Sequence, residues 1–134
     1  MVKAVLLAAV VVVGVSIAHA EGPYDGSVPM KCAIQTVMVC STVSCTRGTA
    51  QTVLLPPVLI VDVGQRLIGG SAQGRTARIT STGQGPGKLM IAGQDVETLG
   101  NMWGLVVEQK TGAMSGAVLK HGDGLLLFGA CTAP

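Results

Sequence analysis

Residues 102–129, MWGLVVEQKTGAMSGAVLKHGDGLLLFG, decide the fold. Three short apolar runs, 102–108, 114–119 and 125–129, are separated by Gln109-Lys110-Thr111-Gly112 and His121-Gly122-Asp123-Gly124. Each separator is a hairpin turn with glycine where φ must be positive. Toward the N-terminus the same punctuation recurs about every ten residues. Gly83-Gln84-Gly85-Pro86-Gly87 reads as a turn between strands at 76–81 and 89–92, and 94–100 as a polar loop carrying Asp95 and Glu97. Gly64-Gln65 is a tight turn between 59–63 and 66–68, with a small-residue loop following at 69–74. Residues 28–40 hold a first long strand, and 47–51 a polar connection. The segment Val53-Leu54-Leu55-Pro56-Pro57 is apolar, but its prolines cannot donate to a ladder, which sends it to an edge or a connector. The helices that a parallel sheet would need are missing. The expectation is an all-β domain, an antiparallel meander closed into a small barrel or folded as a sandwich.

The first twenty residues address this domain. Lys3 precedes an apolar run over 4–17, and Ala18-His19-Ala20 is a small-x-small cleavage site. That is the pattern of a secretory signal peptide, helical and too short for a stable membrane anchor. Residues 1–20 are therefore expected to be removed, leaving a flexible leader at 21–27 and a single β domain at 28–134 in the periplasm or outside the cell.

The mature chain would carry eight Lys or Arg against seven Asp or Glu, and its only aromatic residues are Tyr24, Trp103 and Phe128. Nucleic-acid binding normally needs a basic stripe and stacking faces, so it is set aside. Arg66, Arg75, Arg78 and Lys88 cluster in the sequence but fall on strand faces and turns, where solvated charges belong.

The cysteines are Cys32, Cys40, Cys45 and Cys131. Four cysteines allow three connectivities, and an oxidising compartment favours pairing. The favoured pairs are Cys40–Cys45, which would close the polar loop Ser41-Thr42-Val43-Ser44, and Cys32–Cys131, which would tie the first strand to the last. A redox or zinc site fits less well, because four residues part Cys40 from Cys45 and His121 is the one mature histidine.

No catalytic pattern stands out. His121 is the one side chain that could serve as a general base at neutral pH, but it lies in a turn with no nucleophile tied to it. Asp62, Asp95, Glu97, Glu108 and Asp123 lack the aromatic platforms of a glycosidase cleft, and Asp123 beside His121 is too few ligands for a metal. The glycine-rich pieces lack the context of a phosphate loop. Trp103 is read as a core plug or the wall of a ligand pocket, with Met90, Met102 and Met114 as candidates for the same interior.

Tyr24-Asp25-Gly26-Ser27-Val28-Pro29, the cysteines that follow, Thr111-Gly112-x-Met114 and the ending Phe128-Gly129-Ala130-Cys131-Thr132 resemble a family of small secreted Gram-negative bacterial proteins with a four-cysteine frame, described as hypothetical proteins. The resemblance implies a location and a cysteine frame, and no chemistry. In architecture alone the chain is similar to lipocalin-type barrels and to periplasmic barrels that inhibit metalloproteases. Lipocalins place Gly-x-Trp on their first strand, whereas Trp103 comes late and follows Asn101-Met102. The reading is a non-enzymatic export product without a cofactor that binds a small apolar ligand. The alternative is an interaction module or protease inhibitor that contacts an envelope protein or protease through the 21–27 leader or an exposed strand edge.

Overall fold

The computed structural model describes residues 22–70, 76–95 and 101–133; the 1–20 segment expected to be a signal peptide and most of the loops expected at 69–74 and 94–100 lie outside them. The strands are β1 (Met30–Ser41), β2 (Cys45–Gly48), β3 (Val58–Asp62), β4 (Leu67–Gly70) and β5 (Thr76–Gly85), followed by β6 (Lys88–Asp95), β7 (Asn101–Glu108), β8 (Ala113–Leu119) and β9 (Asp123–Thr132). Every pairing is antiparallel, and β9 returns to pair with β1 from Lys31↔Thr132 to Ser41↔Asp123. Eight strands thus close into a barrel, with β2 as one extra strand. Closure removes the free sheet edges a sandwich would leave.

Alternation explains the inside of the barrel. Trp103, Leu105 and Val107 on β7 turn inward, as do Leu89 and Ile91 on β6 and Leu125 and Leu127 on β9. With Met30, Cys32, Val37, Val61, Ile79 and Met114 they make one continuous core. On β1 the inward set changes parity, from Met30 and Cys32 to Val37, because a bulge between Ile34 and Thr36 inserts Gln35. A second bulge, at Thr80 of β5, lies where β4 runs out of partners. There the Arg66 guanidinium donates from Nε to the Ile79 carbonyl (3.1 Å) and from Nη2 to the Thr80 carbonyl (2.9 Å), extending the pairing that β4 cannot supply.

Three local expectations change. Gly83, Gln84 and Gly85 belong to β5 and pair with Met90, Leu89 and Lys88, so the turn is only Pro86-Gly87, with Gly87 at φ 68°. Gly69 and Gly70, expected in a loop, finish β4 opposite Ile60 and Leu59. The 47–51 connection hides β2, a hairpin return on the second half of β1 with Cys40 opposite Cys45. The polar loop between those two cysteines was legible as a closed turn, but the strand after it is too short and polar to announce itself.

Both favoured disulfides are present as cross-strand bridges, Cys32–Cys131 between β1 and β9 and Cys40–Cys45 between β1 and β2. The first bridge rivets the seam at which the barrel closes.

Candidate functional site

The two barrel ends differ. At one end the 22–27 segment lies over the opening. The Tyr24 N–H donates to the Gln109 carbonyl (3.1 Å), and the Gln84 side-chain amide donates to the Asp25 carbonyl (3.2 Å). Tyr24 packs on the core and occupies the space beside Gly112, which sits at φ 77° in the β7–β8 turn. Gly26 leaves room for Val63 and Leu89, to which any side chain there would be close. Asp25 accepts from Ser27, whose N–H lies 2.8 Å from Oδ1. These bonds, the Ser27 hydroxyl first, hold the Asp25 carboxyl below its ordinary range. A leader expected to trail free is hydrogen-bonded to two hairpins.

Toward the other end the described residues enclose an apolar cavity of about 140 Å³. Its walls include side chains from five strands and one connector. Ile34 stands beside the β1 bulge, Leu59 and Ile68 come from β3 and β4, Trp103 from β7 and Leu127 from β9. The connector is Leu54-Leu55-Pro56, which follows the 3-10 turn Gln51–Val53. Leu54 adopts a left-handed backbone, φ 59°, and is 83% exposed at the rim. The double proline keeps this connector out of the sheet, and so leaves its leucines available to line the mouth.

Trp103 is seated by what Gly93 lacks. The two residues are cross-strand partners, and a β-carbon on Gly93 would overlap both the indole ring and the Arg78 carbonyl. The ring lies against the bare backbone, with one edge in the cavity wall. Its Nε1 is buried and has no hydrogen-bond partner among the described residues. Asp95 also borders the cavity.

Of the four residues suggested as ligand contacts, the structure brings only Trp103 to this cavity. Met114 is buried in the core, near Gly129 at the closed end. Met90 and Met102 are 43% and 54% exposed, so they do not share the interior. Strand parity is the reason. Met90 lies between inward Leu89 and Ile91, and Met102 directly precedes inward Trp103. The contacts that sequence reading missed, Ile34, Leu54, Leu55 and Leu127, come from three separate stretches and are joined only by barrel closure. His121 is exposed in the β8–β9 turn.

No family model matches the chain, and no curated protein or solved structure shows significant similarity to it.

Proposed function

We propose that this barrel binds a small apolar molecule in its apolar cavity and carries out no catalysis on it. The observation that supports this reading most is the cavity itself, walled by Trp103, Ile34, Leu59, Ile68 and Leu127. Barrel mouths lined by apolar groups, with few polar ones, are common ligand sites. A cavity of about 150 Å³ in an apolar core holds a benzene-sized molecule, which sets the scale of ligand here. The two disulfides suit an oxidising compartment, so we place the protein in the periplasm or outside the cell, exported by the 1–20 segment. A leader that captures an envelope protein or protease is less well supported, because that segment is bonded to the barrel end.

The test is a titration of the oxidised protein with toluene, read by the emission of its one tryptophan. Saturable change in Trp103 emission is expected. Trp103→Ala should weaken binding at least tenfold when the same titration is read by calorimetry. Emission that stays unmoved by toluene and by larger apolar molecules would overturn the reading.

A further inference from the structure

The apolar cavity has a basic neighbour. A second hollow, of about 480 Å³, has Val39, Leu54 and Leu125 on its apolar side and Arg47 and Lys120 as its cations. The strands run one hollow into the other. Val118 of β8 and Leu127 of β9 border the cavity, whereas Lys120, which directly follows β8, and Leu125 of β9 border the hollow. Residues two apart on a strand point to the same face, so one inward surface carries on from the cavity to the hollow over about 6.8 Å. Leu54 borders both.

Charge sorts the two. Arg47 and Lys120 are exposed, and neither is ion-paired with a carboxylate among the described residues. Asp123, the acidic residue nearest Lys120 in sequence, does not line the hollow; its backbone carbonyl accepts from the Lys120 N–H (3.0 Å). The carboxylate that borders the apolar cavity is Asp95. An anionic group is therefore better placed beside the two cations than inside the cavity.

We propose that the ligand is an amphipathic anion, a benzene-sized apolar group bearing a carboxylate on a short chain. The apolar group fills the Trp103 cavity, and the carboxylate lies against Arg47 and Lys120. This rests on the reading of the cavity as a ligand site and adds the chemistry of the head. Guanidinium is the side chain best matched to a carboxylate, through paired N–H donors. The extra strand gains a task, since β2 takes no part in barrel closure but its hairpin, bridged by Cys40–Cys45, brings Arg47 to the hollow.

Calorimetry on the oxidised protein tests this with three probes that share one tail: phenylbutyrate, phenylbutanol and phenylbutylamine. Exposed ion pairs are individually weak, so the acid is expected to bind about fivefold tighter than the alcohol, with the amine weakest. The advantage should shrink in about 0.5 M sodium chloride. It should vanish when Arg47→Gln and Lys120→Gln are combined, and survive Lys31→Gln on the outer face of β1. An unchanged thermal midpoint checks that the variants fold, and the three-probe comparison on the parent needs no variant. Trp103 emission should shift with the acid, as it must if the tail enters the cavity. An acid no tighter than the alcohol, an advantage that persists in the double variant, or acetate binding as tightly as the acid would overturn the proposal. If toluene still binds in that case, the cavity reading stands without an anionic head; if neither toluene nor the acid binds, that reading falls too.

Discussion

Gly93 and Gly104 show how much one missing side chain decides in this barrel. They sit on neighbouring strands, but Gly93 faces inward under the indole and Gly104 outward, where an added β-carbon would make only ordinary contact with the Ile91 carbonyl. Gly93→Ala should therefore cost about 1–3 kcal/mol through overpacking against Trp103 and the Arg78 carbonyl, and should shift the Trp103 emission. Gly104→Ala should stay within about 0.5 kcal/mol of the parent, as surface changes usually do. Urea melts of both variants check the contrast, and equal losses would contradict it. Asp25 gives a pH signature at the same scale. Its folded carboxyl titrates below the ordinary value of 3.8, so its contribution to stability is full above that value and disappears as pH falls through the depressed one. The stability advantage of the parent over Asp25→Asn should be small and constant from about pH 5 to 8, shrinking as pH drops below about 4. An advantage that grows on acidification would contradict the assignment. None of this was legible from residue type, because a glycine reads the same in sequence whether it seats a ring or faces outward.

Among the elements, the last three strands were the most legible, and for a physical reason. Their turns are short and glycine-bearing, so register follows from loop length. Legibility failed where the period changed. The Gln35 bulge switches the inward set of β1 from even to odd numbers, and simple alternation carried through it points Val37 outward. The parity that excludes Met90 and Met102 from the interior was present in the sequence, in Leu89-Met90-Ile91 and Met102-Trp103. Reading the methionines by type rather than by parity concealed it. The disulfides carry the prediction at this scale. Cys32 and Cys131 are separated by 99 residues and Cys40 and Cys45 by 5. Loop entropy assigns about 4–5 kcal/mol to the first bridge and about 2 kcal/mol to the second. Replacing Cys32 and Cys131 by Ser together should therefore lower the denaturation midpoint far more than replacing Cys40 and Cys45. The reverse order would show that the barrel seam does not depend on its rivet.

For the whole molecule, sequence reading left barrel and sandwich open, since both use the same alternating strands. The choice rests on the pairing of β9 with β1, between residues 99 apart at the disulfide, and no local signal reports a contact that distant. The pocket shares that dependence. Trp103 was identifiable as a candidate wall because it is the lone tryptophan, whereas Ile34, Leu55, Leu59 and Leu127 meet it only after closure. Among the described residues, Tyr24 packs over one end of the barrel and the apolar cavity lies at the other. The measurement that tests this most directly is a ¹H–¹⁵N correlation spectrum of the oxidised protein titrated with toluene. The account expects the single indole N–H signal to move together with the backbone amides of Ile34, Leu55, Leu59, Ile68 and Leu127, and with few others. A spectrum that does not change, or changes confined to the outer face at Leu126 and Phe128, would contradict it.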